Sequence, residues 1–293
     1  MRDSLRLFKT RCVLSCNSNY LGYRLIPLQA ALRPECSGNG AEHRLKRFAY
    51  RVFNYQESIM DRFSQSDPII QARSGLQTYM AQVYGWMTCG LLLTAFVAWY
   101  ASHSIAFLQL LSGNRFFFFG LVIAQLGVVI VLSALIQRLS AGAATALFML
   151  YSVLTGLTLC SIFLIYTASS IAGTFVVTAG MFGAMSLWGY TTKRDLSGWG
   201  NMLFMALIGI LLASLVNFWL KSEALMWVVT YVGVVVFVGL TAYDTQKLKA
   251  IGQQVDPRDA TALRKYSIFG ALTLYLDFIN LFLMLLRIFG NRR

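Results

Sequence analysis

Two aspartates set in apolar sequence are the residues whose type and placement could do chemistry. Asp277 lies within residues 266–286, which hold no other acidic or basic residue, and Asp244 closes residues 224–243, which hold none. A charged side chain in hydrocarbon costs roughly 2.5 to 3.5 kcal/mol on insertion scales, so it must face a protein interior or a water-filled cavity. If the two carboxylates meet, a low dielectric forbids cheap ionisation of both, and they share a proton. Such a pair is a proton-sensitive latch. Carboxylate oxygens also suit calcium, a hard cation, but two acids are too few for a closed site; Asp244 and Asp277 are therefore candidates for weak, transient coordination.

The neighbours of the two acids differ. Asp244 has Lys247 three residues on, so a salt bridge near the membrane surface accounts for it equally well. Asp277 has no basic residue within a helical turn and must pair across helices or meet water. On a helix, Tyr266, Gly270, Thr273, Asp277, Asn280, Met284 and Arg287 recur at spacings of four and three and share one face. Thr273 and Asn280 thereby line the face that carries Asp277, while Ile268, Leu272, Tyr275, Ile279 and Leu286 lie opposite; the polar stripe should face a bundle. Thr230, Gly233, Thr241 and Asp244 make a weaker stripe, interrupted by Phe237.

The elements that position these residues are membrane spans. Hydrophobic residues make up 57% of the 293-residue chain and charged residues 13%, where a soluble domain carries about 25% charged. Residues 79–101, 116–137, 141–166, 169–190, 201–220 and 224–243 contain no Asp, Glu, Lys or Arg, and each can cross a ~30 Å core as a helix. Residues 266–286 form a seventh span, so the chain is an all-α, polytopic seven-helix membrane protein. Small residues four apart, Gly180 and Ala184, and Ser152, Gly156 and Cys160, predict close helix packing. Residues 247–265 carry both signs of charge and read as a solvated loop. Aromatic residues near span ends, among them Trp99, Trp188 and the run Phe116 to Phe119, read as interfacial anchors, and Trp86 as packing.

The formal charge of +13 belongs to loops and fixes topology; it does not describe a nucleic-acid surface. With a cytoplasmic N-terminus, Arg62, Arg73, Arg138, Lys193, Arg194, Lys247, Lys249, Arg258, Arg264 and Lys265 fall inside, while Arg115, Lys221, Arg287, Arg292 and Arg293 fall outside. The last three would suit the charge rule better if the seventh segment re-entered, which leaves the side of the C-terminus open. Residues 1–59 hold ten Lys or Arg and four acids, with no spanning segment and no signal-peptide core. We expect them to be a disordered extension or translated upstream sequence, with Met60 as the functional start. Cys89 and Cys160 have no partners at ligand spacing, and the only histidines, His43 and His103, lie outside the spans, so neither a haem nor a histidine metal site is expected.

Three segments together carry a resemblance: Tyr190-Thr191-Thr192-Lys193-Arg194-Asp195-Leu196-Ser197-Gly198, then Tyr243-Asp244-Thr245, then Leu274-Tyr275-Leu276-Asp277-Phe278-Ile279-Asn280-Leu281-Phe282. In order, from residue 60 onward, they resemble the Bax-inhibitor-1 family. The resemblance implies a bundle whose last helix is central, wrapped by six others, in a bacterial inner membrane. It implies a pH-sensitive calcium leak without a cofactor, in which the aspartates matching Asp244 and Asp277 share a proton. It also implies an arginine from the second helix latched to the pair, for which Arg138 is the nearest candidate. Some members are thought to modulate a membrane-anchored ATP-dependent protease, so a regulator that binds other membrane proteins and transports nothing is the alternative.

Enzymatic readings fit the residues less well. Intramembrane aspartyl proteolysis also uses aspartates on a sixth and a seventh helix, but Gly-x-Gly-Asp is replaced here by Leu274-Tyr275-Leu276-Asp277, which denies a substrate backbone its close approach. No lysine lies in residues 266–286 for a Schiff base, and no membrane histidine could activate a serine. The expectation is a protein that is not an enzyme.

Overall fold

The computed structural model describes residue 51 and residues 75–113, 115–256 and 258–293. The expectations for residues 1–59, residue 51 apart, lie outside the described residues. From residue 75 onward the chain is helical: α1 (Gly75–Ser102), α2 (Ile105–Gly113), α3 (Arg115–Leu135), α4 (Ala141–Leu159), α5 (Ile162–Ile165), α6 (Ala168–Thr191), α7 (Ser197–Leu220), α8 (Glu223–Gln254) and α9 (Ala260–Phe289). Helices dominate because hydrocarbon offers no partner to backbone N–H and C=O groups, which must bond within the segment. Among the described residues, seven segments are long and apolar enough to cross a membrane; α4 and α5 together make the third, Ala141–Ile165.

Polar side chains set the helix starts. The hydroxyls of Ser140, Thr167 and Ser222 accept hydrogen bonds from Ala143 N–H, Ser170 N–H and Leu225 N–H at 3.1, 3.3 and 3.3 Å, capping α4, α6 and α8. Asp259 caps α9, accepting from Thr261 N–H and Ala262 N–H, each at 3.0 Å.

Helix α9 is the centre of the bundle. Of its most apolar window, 61% is buried, against no more than 39% in any other span. It packs on α4, α6 and α8, and Gly270 brings it against Val83 of α1. Helices α3 and α7 are seated mainly on α4 and α8, as an outer layer. Ile268, Leu272, Tyr275 and Leu286, on the face opposite the polar stripe, are fully or almost fully buried. The stripe therefore does not mark the only face of α9 turned to protein, because a central helix is enclosed on every side.

Two expectations are corrected. Residues 247–265 are not a loop: α8 runs on to Gln254 and α9 begins at Ala260, leaving a five-residue connection. The extension persists because Leu248, Gly252, Leu263 and Ser267 bury themselves, Gly252 against Tyr79 and Leu76 of α1. Gly180 and Ala184 face outward, with nothing within 4 Å of a β-carbon at Gly180; α6 packs instead through Thr174, Thr178, Phe182, Ser186 and Gly189. Ser152, Gly156 and Cys160 do pack as expected, a β-carbon at Gly156 falling 2.7 Å from the Thr94 carbonyl oxygen.

The charge balance left open whether the seventh span re-enters. Helix α9 is continuous over 30 residues, antiparallel to α8, meeting Leu248 at Gly270 and Thr230 at Arg287. It crosses. The C-terminal residues dock on the start of α6: Asn291 O accepts from Thr167 N–H at 3.2 Å, and Arg293 N–H donates to Ile165 O at 2.9 Å.

Candidate functional site

The aspartates come together because of how α8 and α9 are registered. The contacts of Thr230 with Arg287, Gly233 with Met284 and Leu248 with Gly270 set Asp244 level with Thr273, and Asp277 level with Leu240, about one turn apart. Side chains on a helix lean toward its N-terminus. On antiparallel helices the two carboxyls therefore lean toward each other, and they reach hydrogen-bonding range.

That contact has a chemical requirement. Asp277 is 5% exposed, and its Oδ2 receives no hydrogen bond from any donor among the described residues. Its hydrogen-bonding neighbour is another carboxyl, which can donate only when protonated. A proton held between the two satisfies both groups; without it, two negative charges face each other in a buried space. Asp244 is half-buried and feels the positive charge of Lys247, one turn nearer the membrane surface.

The loop between α6 and α7 is fastened to the same end of α8. Gln246 accepts from Leu196 N–H at 2.9 Å and donates to Arg194 O at 2.7 Å, and Lys249 Nζ donates to Tyr190 O at 2.7 Å while lying over the Tyr190 ring. Within the loop, Asp195 accepts from the Ser197 hydroxyl at 2.6 Å and the Ser197 N–H at 2.9 Å. These two bonds, the hydroxyl's first, hold the Asp195 carboxyl below the usual carboxylate range.

A family model described as "Inhibitor of apoptosis-promoting Bax1" matches residues 76–293. The chain belongs to the Bax-inhibitor-1 family. It is 80% identical to inner membrane protein YbhL of Escherichia coli K12 over 234 residues, 80% of this chain and all of that protein. An uncharacterized protein of Borreliella burgdorferi is 44% identical over 73% of this chain and 92% of its own length. An uncharacterized membrane protein of Streptococcus pyogenes serotype M1 is 35% identical over 77% and 99%. Family membership and seven apolar helices make this a multi-pass inner-membrane protein.

In this family member the other anticipated residues are only partly gathered. Thr273 and Asn280 flank Asp277 on α9, but each turns its polar group onto its own helix: Thr273 Oγ1 donates to Phe269 O at 3.1 Å, and Asn280 Nδ2 to Leu276 O at 2.8 Å. Arg138 is not on the polar face. It is exposed in the turn after α3, beside Gln137, whose carbonyl oxygen lies 3.4 Å from Lys265 Nζ. From Lys265 to Asp277 the rise along α9 is about 18 Å, beyond the reach of an arginine side chain in that turn.

Sequence reading missed a chain of hydroxyls that ends at Thr245, the residue after Asp244. Tyr84 of α1 hydrogen-bonds Ser186 of α6, Ser186 Oγ lies 3.0 Å from Thr245 Oγ1, and Thr245 Oγ1 donates to Thr241 O at 2.7 Å. This chain ties α1, α6 and α8 together beside Asp244. Thr245 follows Asp244 directly, a signal that was available; Tyr84 and Ser186 lie on apolar spans with nothing local to mark them. A cavity of about 610 Å³ between α1 and α6 reaches Tyr84, Ser186 and Phe278, but its other walls, such as Met87, Leu91 and Phe182, are apolar. It opens a lateral space suited to hydrocarbon, not an ion path.

Proposed function

We propose that this protein is a pH-sensitive cation leak of the Bax-inhibitor-1 type, with calcium as the permeant ion and the Asp244–Asp277 pair as its gate. The observation that carries this reading is the buried Asp277 carboxyl, without a hydrogen-bond donor at Oδ2 and with Asp244 as its neighbour. One shared proton holds α8 to α9 through a charge-assisted hydrogen bond. Loss of that proton sets two carboxylates against each other and parts the helices, and the ionised oxygens then offer a passing hard cation a weak stopping point. Two carboxylates fall short of the six to eight oxygens calcium prefers, which favours transit over storage. No covalent step is required, and the protein acts without enzymatic turnover or cofactor.

Purified protein in vesicles loaded with a calcium indicator tests this. Calcium should leak without ATP, more slowly when the pair holds its proton. A protein that only regulates other membrane proteins, such as an ATP-dependent membrane protease, would pass no calcium at any pH.

A further inference from the structure

Two cavities follow each other along one face of α8. The first, about 190 Å³, is an apolar furrow between α6, α7 and α8, walled by Trp188, Trp199, Leu203, Gly239 and Tyr243. The second, about 390 Å³, begins at the same Tyr243 and continues through Gln246, Lys247 and Ala250, with Lys193 and Arg194 across from them. From Gly239 to Lys247 the rise is roughly 12 Å.

The furrow exists for a local reason. Gly239 has no side chain, and a β-carbon there would press to 2.9 Å from Leu203 Cδ2, so any larger residue would close the gap. Trp188 and Trp199 frame it, 47% and 63% exposed, as indoles do where hydrocarbon gives way to headgroups. The basic cavity lies beyond them. Its Lys193, Arg194 and Lys247 outnumber its one acid, Asp195, which is occupied by Ser197. Lys249, by contrast, is bound to Tyr190 O.

Helix α8 explains why the two halves are joined. At 32 residues it is roughly 48 Å long, against a hydrocarbon core of ~30 Å, so a single face passes from lipid tails into the headgroup layer. An apolar slot at the membrane edge that runs into a cationic pocket matches one class of molecule, a lipid with an acyl chain and an anionic head. We propose that this face binds an anionic phospholipid, its phosphate held by Lys193, Arg194 and Lys247 and the upper part of one chain seated against Trp199, Leu203 and Gly239. A soluble anion would use the basic cavity alone, and a zwitterionic lipid the furrow without the full charge match.

Native mass spectrometry of the full chain, purified in detergent with equal amounts of phosphatidylglycerol and phosphatidylethanolamine, tests the assignment. Phosphatidylglycerol should be retained preferentially. Each interfacial cation is worth roughly a fivefold change in occupancy, so the double substitution Lys193→Gln, Arg194→Gln should lower its retention by about tenfold or more. Lys247→Gln, which leaves the Gln246 tether to the loop in place, should lower it on its own and covers the case in which the double variant does not fold. Glycerol 3-phosphate, a headgroup without chains, should not displace the lipid. Equal retention of the two lipids, undiminished retention in a folded charge variant, or full displacement by glycerol 3-phosphate would each overturn the proposal, the last by making the cavity a site for free anions.

Discussion

The hydroxyl of Tyr275 on α9 lies 2.6 Å from that of Thr94 on α1, where the tyrosine is fully buried and the threonine 3% exposed. Thr94 spends its own proton on Ser152 O at 2.9 Å, so Tyr275 is the donor between the two. The bond links three helices, α1, α4 and α9, in the buried core. Tyr275→Phe should cost about 1 kcal/mol, and Thr94→Val about 1 to 3 kcal/mol because it strands a buried hydroxyl. The double variant should lose less than the sum, measured as unfolding free energy in detergent.

Gly156 and Gly180 look alike in the sequence and should behave oppositely. A β-carbon at Gly156 meets backbone, the Thr94 carbonyl oxygen, as well as Val97, whereas one at Gly180 meets nothing. Gly156→Ala should destabilise by about 1 to 3 kcal/mol through overpacking. Gly180→Ala should stabilise by up to about 1 kcal/mol through helix propensity. Melting temperatures of the purified variants decide it.

The proposed gate predicts the direction of a pH response. Under the proposed gate, raising the pH removes the proton that joins Asp244 to Asp277, so calcium leak should rise with pH. Asp277→Asn or Asp244→Asn keeps the shape, deletes one titrating group, and should flatten the curve, with little further change in the double variant because the two act as a unit. A double variant that still follows the wild-type pH curve would show the pair to be structural only.

Asp195 gives a titration outside the membrane. Its folded-state pKa is lowered by the Ser197 hydroxyl and N–H, so its contribution to the loop is present above the ordinary aspartate pKa and is lost as the pH falls through the lowered value. Nuclear magnetic resonance of the carboxyl should place its midpoint below 3.8, and Ser197→Ala should move it back upward.

Topology can be read with an impermeant thiol reagent on single cysteines. Position 193 follows the end of α6 and position 292 docks near its start, so the two should react from opposite sides. Because basic loops favour the cytoplasm, position 193 is expected to react from that side. Reaction of both from one side would contradict the crossing of α9.

What the sequence determined by itself is what depends on composition along the chain. Length and hydropathy set the seven spans, because a bilayer of fixed thickness selects segments about 20 residues long whatever their neighbours. The isolated acids stood out for the same reason: Asp277 in hydrocarbon demands a partner wherever the helix is placed. Tertiary structure decided everything that depends on register and contact. It showed which faces are inside, and a central helix such as α9 hides both its stripes, so amphipathicity carried little information there. It moved Arg138 off the polar face and turned Gly180 outward, since the period of a helix says which residues share a face but not what that face meets. The hydroxyl chain from Tyr84 through Ser186 to Thr245 and the two-part face of α8 arise between residues far apart in the chain, at crossings that no local pattern encodes.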